Sequence, residues 1–135
     1  MATLKQETLP IYSSNDVVHV RQAVRALATT LGFSLVDQTK IVTAASELAR
    51  NTIDYGGGGT VLIEAVNGNG RHGLRLTFED QGPGIPDIEL ALKDGYTTGG
   101  GLGLGLGGAK RLSNEFEIQS RVGEGTRVCI TRWGK

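Results

Sequence analysis

Residues 97–110, TTGGGLGLGLGGAK, are the part of the chain best suited to bind a ligand through its backbone. Seven of the ten residues from 99 to 108 are glycine, which costs about 0.5–1 kcal/mol relative to alanine in a helix or strand. A glycine-rich loop that leads into a helix offers free N–H groups to an anion. A flexible linker is the alternative, but linkers rarely carry alternating leucines such as Leu102, Leu104 and Leu106. The run therefore favours a phosphate-binding loop.

Two further sets of polar residues could serve the same ligand. Glu47 and Asn51 are four positions apart in a predicted helix, so they lie together beside its apolar stripe. A polar stripe in that position is where a helix lines a pocket. Asp80 follows a predicted strand and opens the tight stretch DQGPG, with Gly82 and Gly84.

The best-known glycine-rich nucleotide motifs do not fit this chain. No Gly-Lys pair is followed by Ser or Thr, so there is no Walker A loop. Residues 103–108 satisfy G-x-G-x-x-G, but no buried strand is predicted directly before them and the chain lacks βαβ alternation. The lysine, HRD and DFG signals of ordinary protein kinases are absent as well.

Four stretches instead resemble the boxes of the GHKL (Bergerat-fold) ATPases and kinases. Residues 47–51 (ELARN) resemble the N box and residues 80–84 (DQGPG) the G1 box. Residues 101–106 (GLGLGL) resemble G2 and residues 123–126 (GEGT) resemble G3. Each box is weak alone, but the four in order cover a whole nucleotide site.

The resemblance implies a role for each matching residue. Asp80 would accept a hydrogen bond from the adenine amino group, with Thr126 reaching the base through its hydroxyl and water, and Gly82 and Gly84 would let the backbone approach the base. Asn51 would ligate Mg²⁺ through its amide oxygen, a hard ligand for a hard cation. The lid over the phosphates of ATP would comprise Thr98, Gly101, Leu102, Gly103, Leu104, Gly105 and Leu106.

Glu47 indicates the branch of the family. One turn before Asn51, it could be the general base that takes a proton from the attacking water or hydroxyl. An acid there resembles the serine-kinase branch, the anti-sigma-factor kinases and, most closely, the stressosome switch kinases. Tyr55 stands where many anti-sigma kinases have His.

That branch implies a serine/threonine protein kinase that uses ATP and Mg²⁺ and phosphorylates STAS-domain scaffold or antagonist proteins. It also implies release of the kinase to activate a PP2C-type phosphatase. The first alternative is an anti-sigma factor that binds a sigma factor and phosphorylates its STAS antagonist. The second is a binding module in which ATP only shapes a surface.

Composition agrees with a globular protein of this kind. The 135 residues carry a net charge of zero, from 14 basic and 14 acidic side chains, which argues against nucleic acid as a partner. One cysteine and two histidines without ligand spacing give no metal cluster or disulfide framework. No apolar stretch has membrane-spanning or signal-peptide length, so we expect no membrane partner and a cytoplasmic location.

The pattern of turns and periodicities predicts the elements that must position these residues. Strands are expected at residues 5–12, 60–66, 74–79, 116–122 and 126–133, and helices between Ser13 and Gly32, between Ser34 and Gly56, and at 88–93 and 106–112. This order predicts a single α+β domain, residues 1–135, built as a two-layer α/β sandwich; the family resemblance implies that it is the Bergerat ATP-binding fold. We expect a mixed, mostly antiparallel sheet with the helices on one face.

Overall fold

The computed structural model describes residues 2–85, 87–92 and 105–134. In chain order the elements are β1 (Ala2–Ile11), α1 (Ser14–Thr30), α2 (Leu35–Asp54), β2 (Gly59–Gly68), β3 (Arg71–Asp80), α3 (Ile88–Ala91), α4 (Gly105–Arg111), β4 (Glu115–Arg121) and β5 (Gly125–Trp133).

The five strands form one sheet in the order β1-β2-β3-β5-β4. Every neighbouring pair is antiparallel, so the parallel pair implied by a mixed sheet does not occur among the described residues. The helices cover one face, as the alternation of buried Leu74, Leu76 and Phe78 along β3 requires. The expected α+β sandwich is therefore confirmed.

Both long helices begin at the serines that the sequence indicated. At α1 the Ser13 hydroxyl accepts from the Asp16 amide at 3.3 Å, and the Asp16 carboxylate accepts from the Ser13 amide at 3.2 Å, which completes a capping box. At α2 the Ser34 hydroxyl accepts from the Asp37 amide at 3.1 Å. The Asp37 carboxylate binds the guanidinium of Arg132 on β5, at 2.6 Å, and so fixes the start of α2 to the sheet.

Asn69 and Gly70 make the turn between β2 and β3. Their φ angles are +53° and +76°, the positive pair that a two-residue type I′ hairpin requires. This turn sets the register of the hairpin, which places Gly59 opposite Asp80. On the other side of β3, Asp80 lies opposite Thr126. Two predicted site residues are thus neighbours across the sheet.

The core lies between the sheet and the two long helices. Its largest fully buried side chains come from both long helices and from β1, β2, β3 and β5, and include Ile11, Ile41, Leu48, Ile63 and Ile130. Helix α2 packs against α1, α4 and the sheet. These contacts hold the C-terminal half of α2 beside the ends of β3 and β5.

Element bounds differ from the predictions mainly at the ends. β1 begins at Ala2 rather than at residue 5, because pairing with β2 extends to Asn67. The described part of α3 ends at Ala91, before the predicted end at residue 93, and α4 begins one residue early at Gly105. Pro10 lies in β1, an edge strand, as its missing N–H requires.

Candidate active site

A cavity of about 480 Å³ lies between the C-terminal half of α2 and the ends of β3 and β5. Its walls are largely apolar, formed by side chains such as Leu48, Phe78, Leu106 and Val128. Its volume falls in the range of about 300–1,000 Å³ that is typical of small-ligand sites. The full lining comprises Leu48, Asn51, Thr52, Asp54, Tyr55, Phe78, Asp80, Pro83, Gly84, Ile85, Asp87, Ala91, Gly105, Leu106, Thr126 and Val128.

Helix α2 supplies the polar wall. Asn51 lines the cavity, and Leu48 and Tyr55 lie a turn before and a turn after it. Glu47 is one turn N-terminal to Asn51 and only 6% exposed, and it is not among the lining residues. Among the described residues, no buried side-chain oxygen or nitrogen atom lacks a hydrogen-bond partner. What links Glu47 to the cavity is its place one helical turn before Asn51.

Asp80 is held by the glycines around it. One of its carboxylate oxygens accepts from the Gly82 amide at 2.9 Å. The loop after α2 passes directly beside the same side chain, since a Cβ on Gly56 would collide with the Asp80 carboxyl carbon. Gly82 packs on the same loop, where a Cβ would lie 2.7 Å from the Gly56 Cα. Glycine at these positions therefore lets the loop after α2 and the turn after β3 pack closely around one carboxylate.

Gly84 allows the turn after Asp80 to pack closely against β4. Its φ is +80°, and a Cβ there would collide with the carbonyl oxygen of Arg121 on β4. The turn after Asp80 thus lies against the β4–β5 hairpin, and the Gly123 amide donates to the Pro83 carbonyl at 2.8 Å. The two predicted boxes at residues 80–84 and 123–126 are joined directly.

Thr126 faces the cavity from β5, and its hydroxyl is 2.8 Å from that of Ser120 on β4. Ser120 was not predicted as a site residue, because its neighbours in sequence give no sign of it. It is found only through the register that pairs Ser120 with Thr126.

The described lining is acidic. Asp54, Asp80 and Asp87 contribute carboxylates, and none of the described lining residues is Lys or Arg. Among the described residues no group of three His, Cys, Asp or Glu side chains could hold a metal ion by itself. A polyanionic ligand would therefore have to bring its own cation, and the Asn51 amide oxygen is a suitable hard ligand for Mg²⁺.

The structure brings six of the predicted residues to one cavity: Asn51, Asp80, Gly84, Gly105, Leu106 and Thr126. Gly82 and Glu47 are not lining residues: Gly82 donates to the Asp80 carboxylate, and Glu47 is one turn N-terminal to Asn51. Thr98, Gly101, Leu102, Gly103 and Leu104, and with them most of the predicted lid, lie outside the described residues. The apolar walls of the cavity and the lining residues Asp54, Tyr55 and Asp87 were not predicted from the sequence. Alternation along β3 and β5 would have indicated Phe78 and Val128.

Comparison with known families identifies the class of this protein. Residues 36–133 match the family of histidine kinase-, DNA gyrase B- and HSP90-like ATPases. The chain belongs to this family, the GHKL group that its four boxes resemble.

Its relatives narrow the class. Over 128 residues, 95% of this chain and 96% of the relative, it is 49% identical to serine/threonine-protein kinase RsbT of Bacillus subtilis. It is 33% identical over 129 residues to an anti-sigma F factor of Thermoanaerobacter sp. (strain X514), covering 89% of this chain and 87% of that protein. These relatives confirm the expected enzyme class, a serine/threonine protein kinase of the GHKL group.

One solved structure supports the fold. The crystal structure of the RsbU and RsbW domains of Rv1364c from Mycobacterium tuberculosis matches with a TM-score of 0.65 at 24% identity. The match covers the whole of this chain and 33% of that one. Among the described residues, no helix is long and apolar enough to cross a membrane.

Proposed function

We propose that this chain is an ATP- and Mg²⁺-dependent protein kinase that transfers phosphate to Ser or Thr of STAS-domain proteins. The observation that carries the proposal is that one cavity brings together Asn51 on α2, Asp80 on β3 and Thr126 on β5. These three come from distant parts of the sequence and match the metal and adenine positions of the family.

The end of the cavity at β3 and β5 suits adenine. Phe78 and Val128 give apolar walls for a flat ring, and the Asp80 carboxylate offers an acceptor. The Gly82 amide uses part of the hydrogen-bonding capacity of that carboxylate and holds it in one orientation. An acceptor in a fixed orientation favours a base that carries an amino group at this point.

The face of α2 suits the phosphates. In the proposal Asn51 gives its amide oxygen to Mg²⁺, which neutralises phosphate charge in a cavity whose described lining carries negative but no positive side chains. The residues from Thr98 to Leu106 would close over the phosphates, as the family resemblance implies.

Glu47 is proposed as the general base. Its carboxylate would take the proton from the acceptor hydroxyl as the hydroxyl oxygen bonds to the γ-phosphorus and the bond to the ADP oxygen breaks. The residue is 6% exposed, which restricts its side chain. Its place one helical turn before Asn51 puts it on the same side of α2 as the proposed Mg²⁺ ligand.

The proposed substrates and partners are those that the family resemblance implies. They are STAS-domain scaffold or antagonist proteins, with a PP2C-type phosphatase as the protein that the free kinase activates. Because ATP is supplied there, the proposed reaction belongs to the cytoplasm.

The test is incubation with Mg²⁺, ATP and STAS-domain proteins encoded in the same genome, followed by mass spectrometry. The proposal expects one phosphate on a Ser or Thr of a STAS protein, and none when ATP or Mg²⁺ is omitted. ATP consumption without any phosphoprotein would contradict it.

A second candidate function rests on the identity to anti-sigma F factors, 33% over 129 residues. In that function the chain sequesters a sigma factor and phosphorylates its STAS antagonist at the same site. Affinity capture from the native host separates the two candidates. Recovery of a STAS scaffold with a phosphatase favours the first, and recovery of a sigma factor favours the second.

A further inference from the structure

The Ser120 hydroxyl lies at the junction of three segments that surround the Asp80 end of the cavity. The Ile85 amide donates to it at 2.8 Å, from the turn that follows Asp80. It lies 3.1 Å from the Gly125 carbonyl oxygen and 2.8 Å from the Thr126 hydroxyl oxygen. Ile85 and Thr126 both line the cavity, whereas Ser120 does not.

The three contacts can be satisfied together in one way only. A serine hydroxyl has one proton to donate and two lone pairs. The Ile85 N–H occupies one lone pair, and the Gly125 carbonyl can only accept, so it takes the Ser120 proton. The remaining contact is then made by the Thr126 proton, which is donated to the second lone pair of Ser120.

This arrangement fixes the hydrogen-bonding character of Thr126. Because its proton points to Ser120, the Thr126 hydroxyl can meet a ligand in the cavity only through its lone pairs. Asp80, opposite Thr126 in the register of β3 and β5, presents carboxylate oxygens. Two acceptors therefore face the ligand at neighbouring positions.

We infer that Ser120 is a specificity-determining positioning residue: it holds Thr126 as a hydrogen-bond acceptor and thereby favours a 6-amino purine over a 6-oxo purine. The inference rests on the proposed function, since it requires that the cavity bind a purine nucleotide. Direct contact with the base is left to Asp80 and Thr126. Ser120 acts through Thr126, either directly on the base or through a bridging water.

The test compares ATP with ITP, which has the same sugar and triphosphate but an oxo group in place of the amino group. The dissociation constants of both nucleotides are measured for wild type, Ser120→Ala, Thr126→Val and the double variant. The ratio of the ITP constant to the ATP constant isolates the contact with the base, because changes in stability or in phosphate binding cancel in it.

The inference expects wild type to prefer ATP, and Ser120→Ala to lower that preference about tenfold, the effect of one hydrogen bond. Thr126→Val should lower it similarly. Adding Ser120→Ala to Thr126→Val should then change the ratio less than about twofold, since residues that act through one another are not additive. Ser113→Ala is the matched control, because Ser113 is half-buried and its hydroxyl donates to the Ala109 carbonyl, away from the cavity lining.

Three results would overturn the inference. The first is equal weakening of ATP and ITP by Ser120→Ala, which would leave Ser120 a structural link to Ile85. The second is a Thr126→Val variant with an unchanged ratio, which decides the matter even if Ser120→Ala fails to fold. The third is a full effect of Ser120→Ala in the Thr126→Val background. Failure of wild type to bind ATP at all would instead contradict the proposed function.

Discussion

Asp80 is a carboxylate whose surroundings hold it in one orientation. It sits at the end of β3 with one oxygen fixed by the Gly82 amide, 2.9 Å away, and with Gly56 packed against its carboxyl carbon. A side chain that cannot turn away offers the ligand an acceptor in one direction only.

Asp80→Asn should weaken ATP binding about 100-fold. Asparagine keeps the size of the side chain but replaces a charged acceptor with an amide, and a hydrogen bond to a charged group contributes about 1.5–3 kcal/mol. Isothermal titration with ATP measures the effect. The matched control is Glu79→Gln, which removes the same charge from the neighbouring residue on the opposite face of the sheet, where Glu79 pairs with Arg127 at 3.4 Å. Normal ATP affinity in Asp80→Asn would contradict the assignment of the base site.

Individual residues were predictable from the sequence where their chemistry is local. Asp16, Asp80 and Asn69 each act within a few residues of their own position, through a cap, a turn and a hairpin. Ser120 and Arg132 could not be predicted, because their roles depend on partners 35 and 95 positions away. Register and packing bring such partners together, and short-range patterns do not carry that information.

At the scale of elements, the loop after α2 forms the floor behind Asp80. Helix α2 ends at Asp54, and Gly56 turns the chain beneath the Asp80 side chain before β2 begins at Gly59. The helix that carries Asn51 and the strand that carries Asp80 are therefore fixed relative to each other by a contact that leaves no room for a Cβ.

Gly56→Ala should displace the Asp80 carboxylate and weaken ATP binding at least about tenfold. Gly57→Ala is the contrasting variant. Gly57 has φ of +74° and open space around a new Cβ, so alanine should cost about 1–2 kcal/mol of unfolding free energy and leave ATP affinity nearly unchanged. Titration with ATP and urea denaturation measure the two effects. Equal ATP affinities in the two variants would refute the role given to Gly56.

Arg132 links three elements on the other side of the core. Its guanidinium binds Asp37 at the start of α2 at 2.6 Å and the Leu112 carbonyl just after α4 at 2.9 Å. Its side chain is 12% exposed and that of Asp37 is 14% exposed. Arg132 on β5 is thus joined to the start of α2, the end of that helix remote from Asn51. It is also joined to the residue that follows α4.

Arg132→Ala should lower the free energy of unfolding by about 3 kcal/mol, because it removes a largely buried ion pair with Asp37 and the hydrogen bond to the Leu112 carbonyl. Arg121→Ala is the control: Arg121 pairs with Glu124 at 3.9 Å, and the side chains are 84% and 65% exposed. That exposed pair should contribute less than about 0.5 kcal/mol. Urea denaturation measures the free energy of unfolding of both variants. Equal decreases in the two variants would contradict the role given to Arg132.

At the scale of the molecule, the sheet has one face for the helices and one that carries its own polar network. On that second face the Arg75 guanidinium binds both carboxylate oxygens of Glu64, at 2.9 and 3.0 Å, and Thr3 donates to one of them at 3.1 Å. The hydrogen bonds from Arg75, more than any other cause, hold the pKa of Glu64 below its usual value of 4.5 against the opposing effect of burial.

A lowered pKa in the folded state means that Glu64 contributes stability above the unfolded-state pKa and loses that contribution as pH falls through the folded-state pKa. The difference in unfolding free energy between wild type and Glu64→Gln should therefore be constant near neutral pH and shrink below about pH 4.5. Denaturation curves from about pH 7 to pH 3 measure it. A difference between wild type and Glu64→Gln that grows toward low pH would contradict the assignment.

The fold and much of the site follow from the sequence because glycines, caps and periodicity specify the elements locally. The antiparallel pairing of every described strand and the apolar walls of the cavity depend on how those elements meet. The central chemical proposal is that Glu47 serves a kinase reaction in the cavity that Asn51 and Asp80 line.

The most direct test is the rate of phosphate transfer from Mg²⁺-bound ATP to a Ser or Thr of a STAS protein, compared between wild type and Glu47→Gln. Because Glu47→Gln removes the proposed general base, we predict a loss of about 10²–10⁴-fold in that rate. The dissociation constant for ATP should change less than about threefold. Unaltered transfer by Glu47→Gln, or no transfer by the wild-type protein, would contradict this proposal.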